Sequence, residues 1–498
     1  MKLPEEKKRT ALKSYRLSAL NVFFKTLPLI FVPIFLARML SPEIFGLVAV
    51  SAVYIGIAQF ITTFETGESI IKKELNDTLL HSIFWFNLIC GFLSYLILFI
   101  STEIFLFISN DILLKQIIKI QAIVLITTSL VSVPLALLKK KLDFYSISIS
   151  SLLAGILSSI ISISLALLGY GVWALVSFYL VNSVVYCFII LIMSGYVPKF
   201  VFKVNKIKNI FSFSANLTLT KILSFIERNA ARIIISQYLG YAQVGLYSIG
   251  NMIVIKPIKS VSQFVNPVFY SLISKQKTKI KENIASNFIV YIQICILLFF
   301  PAGIVLIFFS ESIILFILGD KWAGVIPIVF IFSFLFFIRP IIKINVEIFK
   351  ALSLTEVMSK IYMTFTPLYV FAMLFCVQFG LKEVAISYVT INYILAFVSV
   401  GYLMKKLDIT FFEIFMNIKN ILICNALLAI YYGFFVWFDF NNLEIQKWYI
   451  QLAVLASGGF IYFFLHFVFP SNAFNHFLQF IMLNKSYNVI KNFFNRSI

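Results

Sequence analysis

Long apolar runs alternate with short polar connections along the whole chain. Each run approaches the roughly 20 apolar residues that a helix needs to cross a bilayer. Fourteen such runs lie near residues 17–37, 45–64, 80–100, 117–138, 145–168, 172–194, 211–239, 244–265, 286–309, 324–345, 360–379, 384–403, 418–438 and 448–469. The pattern predicts an all-α polytopic membrane protein with fourteen transmembrane helices, or twelve if two marginal runs are re-entrant or interfacial.

The connections between the runs alternate in charge. Uncharged connections, such as Gly169–Gly171 and Tyr238–Gln243, lie between basic ones. The lysines of the basic connections are Lys72, Lys73, Lys139, Lys140, Lys141, Lys199, Lys203, Lys206, Lys208, Lys275, Lys277, Lys279, Lys281, Lys350, Lys360, Lys405 and Lys406. Because cytoplasmic loops of membrane proteins are enriched in lysine and arginine, we expect both termini to be cytoplasmic.

The composition agrees with a membrane protein and excludes several other classes. The chain is 61% hydrophobic and 12% charged, whereas soluble domains carry about 25% charged residues. Its net charge of +20 does not indicate nucleic-acid binding, because the lysines lie in short loops between apolar runs. No connection is long enough to fold as a catalytic domain, and the five cysteines and three histidines lack metal-ligand spacing. We therefore expect no enzymatic activity, no cofactor and no metal site.

A short motif repeats at equivalent places in the predicted topology. The sequence Leu40-x5-Gly46-Leu47 recurs 199 residues later as Leu239-x5-Gly245-Leu246. In both copies it forms the outer turn between an odd-numbered helix and the next even-numbered one. The repeat indicates two halves of the same topology, although chance similarity between apolar segments is an alternative.

The repeat and the charge pattern together predict a domain organisation. A basic cytoplasmic tail (1–16) precedes an N-terminal six-helix lobe (17–198). A basic cytoplasmic linker (199–210) leads to a C-terminal six-helix lobe (211–406), and two extra helices with a cytoplasmic tail (407–498) complete the chain. Transporters built from repeats bind their substrates between the repeats, near the middle of the membrane.

Charged residues inside the apolar runs are the candidate functional residues. The run 211–239 contains Lys221, Glu227, Arg228 and Arg232. At 100° per residue, its three basic side chains share one stripe of a helix. Charges at membrane depth are costly and usually mark a substrate or ion pathway. Further basic candidates for substrate binding are Lys25, Lys256 and Arg339.

Two of these candidates, Lys25 and Glu227, also have a structural interpretation. Lys25 could lie near the cytoplasmic end of its helix and reach the headgroups. Glu227 could be the counter-ion of a neighbouring arginine or a site for proton or cation coupling. The named residues are mostly cationic, which favours a substrate with phosphate or carboxylate groups.

Two stretches of the chain resemble a known family. They are RMLSPEIFGLVAVSAVYIGIAQF (38–60) and RNAARIIISQYLGYAQVGLYSIGNMIVIKPIKSV (228–261). Both are similar to bacterial polysaccharide-biosynthesis flippases of the Wzx type, which translocate O-antigen or exopolysaccharide units. These flippases belong to the multidrug/oligosaccharidyl-lipid/polysaccharide exporter superfamily. The resemblance extends over predicted helices one to twelve.

The resemblance implies a function in lipopolysaccharide or exopolysaccharide biosynthesis. The protein would move an undecaprenyl-pyrophosphate-linked oligosaccharide across the bacterial cytoplasmic (inner) membrane by alternating access, coupled to an ion gradient. Its implied partners are the lipid-linked oligosaccharide, membrane lipids, and the polymerase and chain-length machinery. Arg228 and Asn229 match the family motif of helix seven. Relatives usually carry an acid at the position of Ala231, and Glu227 is the nearby substitute.

Three other functions are open alternatives. A peptidoglycan lipid-precursor flippase would suit a cationic cavity equally well. A multidrug exporter would need acidic residues for cationic drugs, and the chain offers few. A membrane polysaccharide polymerase or glycosyltransferase would need a larger outer loop with catalytic side chains, and the outer connections are short.

Overall fold

Backbone N–H and C=O groups inside a bilayer must find partners within the protein, which favours helices. The computed structural model describes residues 28, 31–63, 66, 70, 76–109, 111–203, 222, 225–274, 280–352, 354–441, 448–469 and 474. Regular structure in these residues is helical, so the predicted all-α polytopic class is confirmed. The chain forms two compact units, Met1–Ile249 with Met373–Leu381 and Gly250–Ala372 with Lys382–Ile498.

The first unit contains the helices of the N-terminal half. They are α1 (31–39), α2 (Pro42–Thr63), α3 (Asp77–Ser109), α4 (Ile112–Gln121), α5 (Ile123–Lys140), α6 (Phe144–Leu167), α7 (Val172–Ser194), α8 (225–238) and the start of α9 (Tyr241–Ser274). Helices α6 and α7 pack closely through small residues, because these let two backbones approach. The Ser162 hydroxyl of α6 donates to the carbonyl of Ala174 on α7 at 2.6 Å.

The second unit contains the remaining helices. They are the rest of α9, α10 (Ile280–Leu318), α11 (Ile326–Ser333), α12 (Arg339–Ala351), α13 (Thr355–Cys376) as far as Ala372, α14 (Leu381–Leu407) from Lys382 on, α15 (Phe411–Asn441) and α16 (Trp448–Val468). A core of Ile304, Phe309, Leu428, Tyr432 and Val454 joins α10, α15 and α16. The aromatic rings of Phe309 and Tyr432 meet edge to face at 5.2 Å, a favourable geometry for aromatic pairs.

Eleven segments of the described chain are long and apolar enough to span a membrane. The predicted run 17–37 falls mostly outside the described residues, and the run 211–239 is described at residue 222 and from residue 225 on. The predicted run 244–265 is helical within α9. Helix α9 includes Lys256 and Lys259 and is not among the eleven.

The predicted run 324–345 is not a single helix, which corrects the sequence interpretation. Helix α11 ends at Ser333, a 3-10 turn covers Phe334–Phe337, and α12 begins at Arg339. Ile338, at the break, has φ −126°. Pro340 lacks the N–H that would bond to the carbonyl of Phe336, and its ring crowds that carbonyl, which favours a break in the turn before it.

Candidate functional site

Helix α8 carries the predicted charged stripe and has one buried face. Glu227 and Ala231 are only 4% and 1% exposed, and Ile234 and Ile235 continue this face. Arg228 is exposed, and Arg232 is half-buried. The two arginines are four residues apart in one helix, so their side chains are neighbours on its surface. The helix therefore carries both arginines on one stripe, beside the face through which it packs.

Arg232 is held in place by its own helix. Its Nη1 donates to Asn229 Oδ1 at 2.8 Å, and Asn229 Nδ2 donates to the carbonyl of Phe225 at 2.9 Å. Tyr179 on α7 is close enough to interact electrostatically with Arg232. Because the amide of Asn229 is anchored to the backbone, it fixes the direction of the guanidinium.

The first turn of α8 packs against α2. An added Cβ on Gly56 would lie 2.5 Å from the ring of Phe225. The rings of Phe60 and Phe225 meet edge to face at 5.3 Å. The absence of a side chain at Gly56 therefore lets Phe225 fit against α2, and this contact positions the turn that contains Arg228 and Asn229.

Glu227 lies one helical turn before Ala231 on the same buried face. Residues four apart in a helix lie above one another. A carboxylate at Glu227 can therefore occupy nearly the same side of α8 as an acid at position 231 would. This placement keeps both interpretations of Glu227, the coupling group and the counter-ion, as hypotheses.

The other basic candidates lie in the second unit or outside the described residues. Lys256 is half-buried in α9. Arg339 is 6% exposed at the start of α12. Its guanidinium hydrogen-bonds to the Tyr388 hydroxyl and lies 5.3 Å from the centre of that ring. Lys25 and Lys221 lie outside the described residues.

Arg339 has an aromatic environment that the sequence interpretation missed. The ring of Tyr388 lies 5.6 Å from Tyr369 and 5.8 Å from Phe332. A guanidinium against an aromatic face gains a cation–π attraction when water is excluded. Tyrosines in apolar runs were the available signal for Tyr388, as they were for Tyr179 beside Arg232.

The arrangement suits electrostatic recognition rather than chemical catalysis. Paired guanidinium groups match phosphate and carboxylate oxygens, since each can donate two parallel hydrogen bonds. Within the described residues, His, Cys, Asp and Glu form no group of three that could hold a metal ion.

The sequence matches a family model and several bacterial proteins. Residues 35–327, more than half of the chain, match the family model described as "Polysaccharide biosynthesis protein". The chain is 28% identical to the succinoglycan biosynthesis transport protein ExoT of Rhizobium meliloti over 60% of each chain. It is 26% identical to the lipopolysaccharide biosynthesis protein WzxC of Escherichia coli, over 59% of this chain and 60% of that protein. These two matches thus span about three fifths of each relative's length.

A third relative matches over a longer region. The teichuronic acid biosynthesis protein TuaB of Bacillus subtilis is 23% identical over 82% of this chain and 85% of its own length.

The fold is also similar to solved transporter structures. The lipid II flippase MurJ, in an inward closed conformation, aligns with a TM-score of 0.60 at 16% identity, over 93% of this chain and 98% of MurJ. A transporter of the multidrug/oligosaccharidyl-lipid/polysaccharide exporter superfamily, from Pyrococcus furiosus, aligns with a TM-score of 0.53 at 15% identity, over 80% of this chain and 95% of that protein. At these identities the likeness shows a shared fold. The family match, which covers more than half of the chain, shows that this protein belongs to the polysaccharide biosynthesis protein family.

Proposed function

We propose that this protein moves an undecaprenyl-pyrophosphate-linked oligosaccharide from the cytoplasmic to the periplasmic or outer leaflet by alternating access. The arginine pair on α8 is the observation that carries the proposal. Arg228 is exposed, and Arg232 is oriented by Asn229, on a helix whose neighbouring face is buried. Guanidinium groups bind pyrophosphate oxygens in bidentate fashion, and the attraction strengthens where water is scarce.

The proposed binding set extends beyond α8. It consists of Lys221, Arg228, Arg232, Lys25, Lys256 and Arg339. The accompanying topology has fourteen helices in two six-helix lobes plus two C-terminal helices, with both termini in the cytoplasm. An ion gradient would return the empty carrier, with Glu227 as the coupling carboxylate.

The proposal predicts that the charge of α8 is needed for export. Arg228→Ala and Arg232→Ala should each remove most of the surface polysaccharide from a strain that depends on this protein. Arg228→Lys should retain part of it, because lysine keeps the charge but loses the planar bidentate donor. Surface polysaccharide is measured per amount of transporter in the membrane.

Gln237→Ala is the matched control, since Gln237 is exposed on the same helix and has no role in the proposal. Normal export by both alanine variants at normal protein level would disprove the binding role of the pair. Glu227→Gln tests coupling in the same strain. If this variant still exports polysaccharide and its export still depends on the ion gradient, Glu227 is not the coupling group.

A peptidoglycan-precursor flippase is the second candidate, favoured by the fold shared with the lipid II flippase. That activity is normally indispensable for growth, whereas an O-unit flippase is often dispensable. Expression of this chain in cells depleted of their own lipid II flippase separates the two functions. Restored growth would favour the second candidate, and continued lysis would favour the first.

A further inference from the structure

The two copies of the repeated motif pack against each other at the starts of α2 and α9. An added Cβ on Gly46 would lie 1.8 Å from the carbonyl oxygen of Tyr241. An added Cβ on Gly245 would lie 1.9 Å from the carbonyl oxygen of Pro42. Pro42 and Tyr241 are the first residues of their helices and, like the two glycines, are 199 residues apart. We call this reciprocal contact of Pro42–Gly46 with Tyr241–Gly245 the glycine crossing.

The glycine crossing brings backbone against backbone. The geometry puts each glycine Cα at most about 3.4 Å from the facing carbonyl oxygen, within the range of Cα–H···O contacts. Gly56, Gly91 and Gly155 instead approach side chains. Side chains can rotate away from a new methyl group, whereas the carbonyl at the start of a helix moves only with the helix.

A methyl group would therefore force the two helices apart. Ordinary van der Waals contact for a Cβ begins at 3.4 Å. An alanine at either glycine would need a backbone displacement of about 1.5 Å to reach that separation. Among the described glycines, Gly46 and Gly245 are the two whose nearest neighbour is a backbone atom. The same displacement is expected from either side because the contact is reciprocal.

The position of the crossing suggests what it does. The charge pattern predicts that both copies of the motif lie at outer turns, and both glycines are buried where α2 and α9 begin. The approaches of the two glycines to the facing carbonyl oxygens are weak Cα–H···O interactions, so they add little energy against separation. Symmetric, close and weak contacts suit a surface that must form and separate repeatedly.

We propose that the glycine crossing is the outer closure of the transporter. It forms when the outer side is shut and separates each time substrate is released there. This inference depends on the proposed transport function. A static anchor between α2 and α9 is the competing explanation, and it predicts that the crossing never opens.

The first test measures the distance across the crossing. Glu43 and Ala242 are both exposed, adjoin Pro42 and Tyr241, and are also 199 residues apart. Spin labels at these two positions, in protein whose native cysteines are replaced, report the separation by pulsed electron resonance in lipid nanodiscs. Gly46→Ala and Gly245→Ala should both shift the distance to longer values. Gly401→Ala is the matched control, because nothing lies within 4 Å of an added Cβ there.

The second test locks the crossing. Cysteines at positions 43 and 242 are joined in cells by a reducible bifunctional reagent matched to the measured distance. Export of surface polysaccharide should stop and should return after reduction. A cross-link between cysteines at Leu168 and Tyr170, which are exposed in the α6–α7 turn, should leave export unchanged.

The outcomes separate the crossing from the transport function. Unchanged export after complete cross-linking would overturn the proposal in favour of a static anchor. Unchanged distances in both alanine variants would also overturn it. If the transport function itself is wrong, deletion of the gene leaves surface polysaccharide intact. The distance shifts in the alanine variants would still show whether the two glycines determine the separation of α2 and α9.

Discussion

At the scale of single residues, the direction of Arg232 depends on a neighbour as much as on its own position. Asn229 accepts from the guanidinium at 2.8 Å and donates to the Phe225 carbonyl at 2.9 Å. A long arginine side chain has many rotamers, and holding one of them costs entropy. Asn229 reduces that cost at the moment of binding, because the favoured rotamer already exists.

Asn229→Ala should therefore weaken substrate binding without changing the charge of α8. Loss of one charge-assisted hydrogen bond is worth about 1.5–3 kcal/mol, or about tenfold or more in affinity. The expected result is reduced export at limiting transporter level, with a smaller deficit when the transporter is abundant.

Ser236→Ala provides the control for Asn229→Ala. The Ser236 hydroxyl donates to the Ile233 carbonyl of its own helix at 2.8 Å and has no role in the proposal. Equal export by both variants at every transporter level would show that Asn229 does not position Arg232.

The sequence identified the charges of this site better than their partners. The i, i+4 spacing of Arg228 and Arg232 follows from helix periodicity alone. Tyr179 lies on a different helix, and helix packing brings it to Arg232. Tyr388 is similarly distant in sequence from Arg339. Side chains that meet only through tertiary packing leave no local pattern, so their pairing could not be predicted.

At the scale of elements, Asp111 connects the start of α4 to the start of α9. Its Oδ1 accepts from the backbone N–H groups of Leu113 and Leu114, both at 3.0 Å. The Tyr241 hydroxyl also bonds to the Asp111 side chain. Burial, and then the nearby Asp111 charge, raise the pKa of Tyr241 to about 12. The phenol therefore keeps its proton at physiological pH and donates to the carboxylate.

Asp111→Ala should destabilise the protein by two separable effects. Loss of the helix cap costs about 1 kcal/mol, and loss of the tyrosine hydrogen bond costs about 1 kcal/mol. Tyr241→Phe should remove only the second contribution. The unfolding temperature of the double variant should therefore fall by less than the sum of the two single decreases. Thermal unfolding of the solubilised protein measures all three decreases.

Asp143→Ala is the control for additivity. Asp143 caps α6 by accepting from the Ser146 backbone N–H at 3.1 Å. The decreases in unfolding temperature caused by Asp143→Ala and Tyr241→Phe should add, because distant sites are independent. Additive effects of Asp111→Ala and Tyr241→Phe would contradict the bond between Asp111 and Tyr241.

Apolar periodicity predicted most helices but could not reveal two local features. Within the run 324–345, the segment Phe334–Phe337 is entirely apolar but forms a 3-10 turn. Pro340 was the signal in the sequence that could have indicated this break. The segment from Tyr196 to Lys203 docks on α3, where Trp85 Nε1 donates to the Lys199 carbonyl at 2.9 Å. Its lysines predicted only a basic linker, since the docking depends on α3.

At the scale of the whole molecule, the charge pattern of the connections and the internal sequence repeat make different predictions. The charge pattern predicts which side of the membrane each connection faces, since lysine-rich loops stay in the cytoplasm. The repeat predicts which helices correspond, and the reciprocal contacts of Gly46 and Gly245 agree with that correspondence. Orientation therefore needs a separate measurement, because neither the fold nor the repeat specifies it.

The orientation prediction can be tested at the two ends of one helix. Helix α6 runs from the basic turn at Lys141–Asp143 to the uncharged turn at Leu168–Gly171. Tyr170 and Leu142 are both exposed, so a cysteine introduced at either position is accessible to a reagent on its own side. A membrane-impermeant maleimide added to intact cells, or to cells whose outer layer has been permeabilised, should label Tyr170→Cys. It should label Leu142→Cys only after the cytoplasmic membrane is opened. Labelling of Leu142→Cys alone in intact cells would reverse the topology and would place the glycine crossing on the cytoplasmic side.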